Sequence, residues 1–318
     1  MKIIKYKDEL EQIKPSKASG GKIDAIKPDR WTKVNWIAET KLDGVRLLMH
    51  MTREGNRLTT RRISKKTNKY MERSNNVPHL RDVNADILKG TVIDGEGIAP
   101  VKKRTMKATQ SIIGSSPEVA WEKQKKIGLL NYVVFDILRH KGKDVTKLPY
   151  KERRELLKVV LDGLKLKNGE TRITLSEHYT EGKRELYEKI IHSGGEGIML
   201  KNMNAAYYDS HFMEKVKKSV RWTMIIVGYK PGKGKNKGKV GSIAVSFYMQ
   251  RVVVYAGGMD DETRDQITAQ QRDYIGVVVE IEGQELTEDG SVRHPRFIDF
   301  RIDKNPEDAT IDQNVIIR

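Results

Sequence analysis

The chain has 318 residues, with 60 Lys plus Arg against 43 Asp plus Glu, a formal net charge of +17 and no cysteine. This length allows two domains, and the lack of cysteine excludes disulfides and any zinc or iron–sulfur site with cysteine ligands. No apolar run is long enough to span a bilayer, and the amino terminus does not resemble a signal peptide. We therefore expect a cytoplasmic protein that does not insert into membranes. The positive surplus favours a polyanionic partner, with nucleic acid ahead of an anionic membrane surface.

Strands are predicted wherever apolar residues alternate or form short runs. In chain order these segments are Trp36–Ala38, Arg46–His50, Val92–Asp94, Tyr132–Leu138, Gly197–Leu200, Met224–Lys230, Ser242–Phe247, Val252–Ala256 and Val277–Leu286. Helical patterns lie between them, at Pro117–Lys126, Tyr150–Leu161, Lys183–His192 and Asp261–Tyr274. Ser116 and Asp260 are predicted to cap two of these helices, and Gly163 is predicted to end the second.

Strand and helix signals do not alternate regularly, which favours an α+β fold over a doubly wound sheet. The pattern changes near Val220, after which five short strands and one helix fill the remaining residues. That arrangement is typical of a small β-barrel of the OB type, which often binds nucleic acids. We therefore predict a first domain of antiparallel sheets and helices over residues 1–219, and an OB-fold barrel over residues 220–318.

The strongest local signal is Lys41 in the segment KLDGVR, directly after the predicted strand WIAET. A lysine is a nucleophile only when it is neutral, and nearby cations or burial favour the neutral form. Arg46 is such a cation, and Gly44 would let the backbone turn tightly beside a ligand. Taken alone, the segment could also be a charged hairpin turn.

Further motifs follow Lys41 in a fixed order: DGEG at 94–97, YVVFDIL at 132–138, GGEGIMLK at 194–201, KVK at 215–217 and RHPRFIDFRIDK at 293–304. Phosphoryl transfer needs positioning and positive charge, and these segments supply lysines, arginines and two acids that could hold Mg²⁺. The seven histidines are scattered along the chain and suggest no competing site.

Together these motifs resemble the covalent nucleotidyltransferase superfamily, and within it the ATP-dependent DNA ligases. The resemblance implies an enzyme that seals 5′-phosphate/3′-hydroxyl nicks in duplex DNA through lysyl-AMP and DNA-adenylate intermediates, as in DNA replication, repair and recombination. The closing RxPRF and RxDK motifs are similar to the DNA ligase signature. An RNA ligase or RNA-capping guanylyltransferase of the same superfamily remains the first alternative, and a non-catalytic nucleic-acid clamp the second.

The resemblance also implies roles for individual residues in the nucleotide site. Lys41 would attack the α-phosphate of ATP and carry AMP. Glu39 would read the amino group of adenine, and Phe135 would stack on its ring. Lys215 and Lys217 would hold the α-phosphate and neutralise the charge that develops on it.

Other matched positions would contact the metal and the DNA. Arg46 and Glu96 would contact the ribose or the nick phosphate, and Glu96 with Glu196, which also belongs to the nucleotide site, would place Mg²⁺ or Mn²⁺. Arg61, or alternatively Arg62, is similar to the arginine that binds the 5′-phosphate of the nick.

Towards the carboxyl terminus, Arg301, Asp303 and Lys304 resemble the residues that orient pyrophosphate for departure. A glycine-rich loop carries four more lysines and no acid, which suits contact with a phosphate backbone. These are Lys233, Lys235, Lys237 and Lys239.

Only 38 residues precede Glu39, so we expect a compact phage or bacterial type without the helical DNA-binding domain of larger ligases. The four residues Tyr248–Arg251 between two predicted barrel strands leave no room for an inserted latch. An NAD-dependent ligase is not expected, because the chain cannot supply a cysteine-ligated zinc module. We expect a monomer that grips nicked DNA with basic loops.

Overall fold

The computed structural model describes residues 2–21, 23, 26–102, 105–313 and, for the backbone alone, 316–317. Contacts along the chain group it into two compact units, with the change between Val216 and Lys217. Among the described residues, no helix combines the length and the apolar character that crossing a membrane requires.

Among its described residues, the first unit contains six α-helices and ten strands, and the last strand ends at the start of the second unit. The helices are α1 (Pro28–Thr32), α2 (Pro78–Arg81), α3 (Thr105–Ile113), α4 (Pro117–Ile127), α5 (Tyr150–Asn168) and α6 (Lys183–His192). The strands are β1 (Trp36–Thr40), β2 (Val45–Thr52), β3 (Gly55–Ile63), β4 (Tyr70–Glu72), β5 (Val92–Ile98), β6 (Asn131–His140), β7 (Lys143–Asp144), β8 (Ile173–Leu175), β9 (Gly197–Asn202) and β10 (Met213–Lys217).

Two sheets form the centre of this unit. The larger has the order β4-β3-β2-β5-β6-β7, with β8 added parallel to β6, and the smaller has the order β1-β9-β10. Strand β2 is buried along most of its length. Its successive side chains point to opposite faces of the sheet, and both faces are covered. Leu47 and Met49 pack into one apolar cluster, and Leu48 between them packs into another. The larger sheet is thus covered on both sides, as its continuous apolar strands require.

The predicted helix caps are confirmed where the sequence offers a polar side chain. The hydroxyl of Ser116 accepts a hydrogen bond from the backbone of Val119 at the start of α4, and Gly128 ends that helix with φ of +99°. Helix α6 has the predicted bounds. The predicted end of α5 at Gly163 is wrong, because the next residue, Leu164, is buried in the core and the helix continues to Asn168, with Gly169 as its cap.

Two segments of the first unit differ from what their local sequence suggests. The alternative that the KLDG segment is a charged hairpin turn does not hold, because the segment connects β1 of the smaller sheet to β2 of the larger one. The predicted strand ending at Asp94 continues to Ile98, so Glu96 lies within β5 rather than at its end. It stands opposite Arg46 of β2 in the antiparallel register.

The second unit is a five-stranded antiparallel barrel with one helix, and a short sixth strand pairs with its first strand. Its elements are β11 (Val220–Pro231), β12 (Val240–Ser246), β13 (Val254–Ala256), α7 (Asp261–Ala269), β14 (Val278–Gly283), β15 (Arg296–Phe300) and β16 (Ile316–Ile317). A bridge between Gly257 and Arg296 joins the ends of the strand order and closes the barrel. The helix lies between the third and fourth strands, as predicted.

Asp260 caps α7 as predicted, since its carboxylate accepts a hydrogen bond from the backbone of Thr263 at 2.8 Å. The helix is shorter than predicted and ends at Ala269 rather than Tyr274. Tyr274 instead packs against Phe300 of β15, with ring centroids 5.2 Å apart. The Tyr274 ring packs against the core of the barrel and is not part of a helical face.

Candidate active site

Lys41 lies in the short link between the two sheets of the first unit. Its backbone N–H donates to the carbonyl of Gly197 at 2.9 Å, which extends the pairing of β1 with β9. Gly44 of the same link packs against β5. A side chain there would place its Cβ 2.2 Å from the carbonyl oxygen of Gly97, so the link requires glycine at this position for space.

The ammonium of Lys41 donates a 2.7 Å hydrogen bond to Oε2 of Glu196, the residue immediately before β9. The side chain of Lys41 is 19% exposed and that of Glu196 is 12% exposed. The sequence predicts that Arg46 provides a neighbouring cation, but its guanidinium binds Asp94 through two hydrogen bonds of 2.9 and 2.5 Å. The charge of Arg46 is therefore paired with Asp94, and the charge of Lys41 with Glu196.

A cavity of about 1060 Å³ opens beside Lys41 in the first unit. Eight of the predicted site residues line it: Glu39, Lys41, Arg46, Arg61, Arg62, Glu96, Phe135 and Lys215. They come from β1, β2, β3, β5, β6 and β10 and from the link after β1, so segments up to 176 positions apart in sequence meet around one space. Glu196 joins them through Lys41.

Glu39 lines this cavity, and its carboxylate is almost fully paired. Oε1 accepts from the hydroxyl of Tyr150 at 2.6 Å and from Arg154 at 3.4 Å. Oε2 accepts from the hydroxyl of Ser176 at 2.6 Å and from the ammonium of Lys201 at 2.8 Å. Burial alone would raise the pKa of Glu39, but the charges of Lys201 and Arg154 hold it below its usual value. Glu39 is therefore a fixed, ionised acceptor.

Phe135 lies next to this carboxylate and has cations near its ring. The ammonium of Lys201 is 4.6 Å from the ring centroid, and the guanidinium of Arg46 is 5.4 Å from it. The carbonyl oxygen of Phe135 also lies 2.8 Å from the hydroxyl of Tyr150, and it shares the single proton of that hydroxyl with Oε1 of Glu39. The two residues predicted to contact adenine thus share one set of supporting side chains.

Glu96 lines the cavity from β5, close to the Lys41–Glu196 pair. Burial raises the pKa of Glu96 to about 8, although the positive charges of Lys41 and Arg46 oppose that shift. Any further cation that enters the site would favour the ionised form of a carboxylate buried in this way.

Five cations of the cavity lining form a group that we name the cationic rim: Arg61, Arg62, Lys65, Lys66 and Arg73. Arg61 and Arg62 are exposed near the end of β3. The pKa of Arg73 is lowered by burial and by the positive charge of Arg62. Cations that crowd in this way favour an anionic ligand with several charges.

The remaining predicted site residues belong to the second unit, beginning with Lys217, the last residue of β10. Arg301 follows β15 and binds both carboxylate oxygens of Asp303, at 2.8 and 2.7 Å. This pairing with Arg301 lowers the pKa of Asp303 to about 2. Lys304 is exposed.

The lysine-rich loop between β11 and β12 differs from its prediction in one respect. Although it contains no acid, Lys235 lies 3.7 Å from Asp261 and Lys239 lies 2.5 Å from Asp265, both on α7. Lys233 and Lys237 complete the set of four, and all four lysines are exposed. The helix therefore compensates part of the positive charge of the loop.

The structure also places residues in the site that the sequence analysis did not assign to it. Tyr150, Arg154 and Ser176 hold Glu39, and Asp94 holds Arg46. The sequence contained a signal that Arg154 is buried. Tyr150, Arg153 and Arg154 lie on the same helical stripe as the buried leucines of α5. A charged side chain at such a position must find a buried partner.

Comparison with known proteins places this geometry in a family. Residues 23–219 match the family model described as ATP dependent DNA ligase domain, and residues 231–301 match the model of the DNA ligase OB-like domain. A DNA ligase 2 of Methanosarcina acetivorans is 26% identical, over 96% of this chain and 57% of that protein. A DNA ligase of Methanococcus aeolicus is 28% identical, over 85% of this chain and 52% of that protein.

The chain thus spans somewhat more than half the length of these curated relatives. Among solved structures, one from a structure–function study of DNA binding by Lig E DNA ligases superposes with a TM-score of 0.66 at 22% identity. The match covers 91% of this chain and 99% of that one, which shows a shared fold. Because the adenylation-domain model covers more than half of its residues, the chain belongs to the ATP-dependent DNA ligase family.

Proposed function

We propose that the protein is a DNA ligase that uses ATP to seal 5′-phosphate/3′-hydroxyl nicks in duplex DNA. One observation carries the proposal: a lysine held by a carboxylate lies beside a cavity that is lined by an ionised acceptor, an aromatic ring and the five cations of the cationic rim. A nucleobase suits the acceptor and the ring, and phosphates suit the cations. The family match supports the same reaction.

In this proposal Lys41 is the nucleophile. Its neutral amine attacks the α-phosphorus of ATP, an N–P bond forms, and the P–O bond to pyrophosphate breaks. AMP then passes to the 5′-phosphate of the nick, and attack by the 3′-hydroxyl expels AMP. Lys215, which lines the cavity, and Lys217 at the end of the same strand would neutralise the charge that develops on the α-phosphate.

We propose that the nucleobase lies between Glu39 and Phe135. Glu39 accepts from the 6-amino group of adenine, and the ring of Phe135 stacks on the base. Arg46, whose guanidinium lies over the ring of Phe135 and binds Asp94, would support that ring and face the ribose. An ionised Glu39 disfavours guanine, which presents a carbonyl oxygen at position 6.

The acidic residues of the site fit a divalent metal ion whose remaining ligands are supplied by the substrate phosphates and water. Glu96 and Glu196 are the candidate ligands, and no group of three or more acidic or histidine side chains suited to a metal occurs among the described residues. Mg²⁺ is commonly bound by one or two carboxylates with phosphates and water as the other ligands. Such an ion would neutralise phosphate charge.

For DNA we propose two contact regions, the cationic rim and the lysine-rich loop. Arg61 or Arg62 would bind the 5′-phosphate of the nick, and Lys233 to Lys239 would follow the phosphate backbone. Arg301, Asp303 and Lys304 would orient pyrophosphate. We also propose 1–219 and 220–318 as the functional domains, a division supported by the separation of two compact units near Val216.

The test is a nick-sealing assay with purified protein and Mg²⁺. We expect ATP to support sealing of a nicked DNA duplex, and we expect no sealing with GTP or with the substitution Lys41→Arg. A matched RNA nick tests the RNA ligase alternative. Sealing of the RNA nick alone, or retention of sealing by Lys41→Arg, would contradict the proposal.

A further inference from the structure

We propose that Tyr150 and Arg154 of α5 are positioning residues for the purine site, because they join the Glu39 acceptor and the Phe135 ring into one preset unit. This inference rests on the proposed function, and it assigns the selectivity for the 6-amino purine to a helix that does not itself contact the base. It goes beyond the residues that the sequence motifs supply.

The hydroxyl of Tyr150 is the point at which the two purine contacts meet. It lies 2.6 Å from Oε1 of Glu39 and 2.8 Å from the carbonyl oxygen of Phe135, and it can donate its proton to either. Lys201 donates to the same hydroxyl oxygen at 3.2 Å. The ring of Tyr150 packs against Phe212 with centroids 5.2 Å apart, which fixes the position of the hydroxyl.

Arg154 lies one helical turn further along α5 and contacts the same carboxylate oxygen. Its side chain is 3% exposed, and Nη1 lies 3.4 Å from Oε1 of Glu39 and 3.3 Å from the hydroxyl of Tyr150. Nη2 donates to the carbonyl of Ser176, whose hydroxyl donates to Oε2 of Glu39. Arg154 thus acts on both oxygens, directly on one and through Ser176 on the other.

A third residue of the helix supports the strand that carries Phe135. Arg153 is fully buried and binds both carboxylate oxygens of Asp136, at 2.8 and 3.0 Å. Asp136 follows Phe135 in β6, so this pair fixes the backbone beside the stacking ring. Consecutive arginines of one helix therefore hold the two halves of the purine site.

These contacts fix the orientation of the Glu39 carboxylate and keep it ionised. A carboxylate held at both oxygens by four donors cannot rotate towards a different base without breaking buried hydrogen bonds. The geometry therefore favours a purine that donates at position 6. Loss of either positioning residue should weaken recognition of that amino group more than it weakens the chemistry at phosphorus.

The experiment measures self-adenylylation of Lys41 at varied nucleotide concentration for wild type, Tyr150→Phe, Arg154→Gln and Arg154→Lys. Two nucleotides are compared, ATP and purine ribonucleoside triphosphate, which lacks the 6-amino group. With ATP we expect Tyr150→Phe and Arg154→Gln to raise the apparent KM about tenfold and to change the maximal rate less than about twofold. With the purine analogue we expect changes below about twofold in both quantities.

Arg154→Lys keeps a positive charge and should recover most of the loss. Lys158→Gln, on the exposed face of the same helix, is the matched control and should behave as wild type. Equal losses with both nucleotides, or an unchanged KM for ATP, would overturn the inference. Tyr150→Phe keeps the packed ring and decides the question if Arg154→Gln does not fold. Absence of label in wild type would instead refute the proposed function.

Discussion

Two groups of residues that line the cavity of the first unit differ in how their charges are paired. At the proposed purine site, the carboxylate of Glu39 is buried and four donors surround it. Along the cationic rim, arginines and lysines lie close together, and Arg61 and Arg62 are exposed. Buried charges that are paired hold a fixed geometry, whereas crowded cations at a surface form a potential that attracts anions.

This difference separates two kinds of expected effect. Substitutions at the proposed purine site should change stability and nucleotide recognition, because each removed partner leaves a buried charge behind. Substitutions in the cationic rim should change the affinity for nucleic acid and its salt dependence while stability stays nearly constant. The predictions below test this separation, beginning with the largest effect.

Glu39→Ala should lower the free energy of unfolding by about 3 to 5 kcal/mol, because Lys201 and Arg154 lose a buried counter-charge. Arg61→Ala is the control and should stay within about 0.5 kcal/mol of wild type. Urea denaturation followed by circular dichroism measures both values. Similar values for the two variants would remove the basis of the comparison.

His50 extends the comparison to a buried group that has no counter-charge. Burial and the nearby charge of Arg57 lower the pKa of His50 to about 4, so it is neutral in the folded protein at pH 7. Between about pH 6.5 and pH 4 the unfolded chain binds a proton that the folded protein does not bind. The free energy of unfolding should therefore decrease as the pH is lowered from 6.5 to 4.

The contribution of His50 should reach about 3 kcal/mol near pH 4. His50→Gln should show a correspondingly flatter decline than wild type between pH 6.5 and pH 4. The measurement is the free energy of unfolding at several pH values for both proteins. Parallel curves would show that His50 does not carry the effect.

In the cationic rim, Arg61→Ala combined with Arg62→Ala should weaken binding to nicked DNA and lower the slope of log affinity against log salt by about 1.8. Loss of two phosphate contacts is the physical reason. Fluorescence anisotropy at several salt concentrations measures the slope. Lys125→Ala with Lys158→Ala, on exposed helix faces, removes the same charge and should leave the slope unchanged if the rim is the DNA contact.

The smallest expected effect concerns the lysine-rich loop of the second unit. Asp265→Asn releases Lys239 from an exposed ion pair and should raise the affinity for DNA about two- to fivefold, since such pairs are worth up to about 1 kcal/mol. Glu262→Gln, on the same helix, makes an equal change of charge and is the control. Equal gains for both variants would point to the general field of α7 rather than to release of the lysine.

The sequence predicted helices well where caps and breakers agree with burial. Ser116 and Gly128 bound α4 as expected, but Gly163 did not end α5 because the next residue, Leu164, is buried in the core. Strand β3 escaped prediction because Leu58 and Ile63 are its two large apolar residues and polar residues between them show no regular alternation. Local signals fail where tertiary packing overrides them.

For the site, the order of the motifs along the chain was informative. The sequence did not reveal which other residues hold the motif residues in place. Lys41, Glu39 and Phe135 could be singled out because they occur in ordered motifs, and the fold brings them to one cavity. The supporting roles of Tyr150 and Arg154 could not be predicted, since the helical stripe of α5 shows only that these residues are buried and does not show which groups they hold. Their shared partner Glu39 lies more than 100 positions away and becomes a neighbour only through the pairing of sheets and helices.

The most direct test of the central claim is incubation of the protein with α-labelled ATP and Mg²⁺ in the absence of DNA. The proposed reaction predicts a covalent, acid-labile AMP adduct on Lys41, which mass spectrometry can locate and which pyrophosphate reverses. Lys41→Ala should acquire no label. A wild-type protein that stays unlabelled, or a label that persists in Lys41→Ala, would contradict the account.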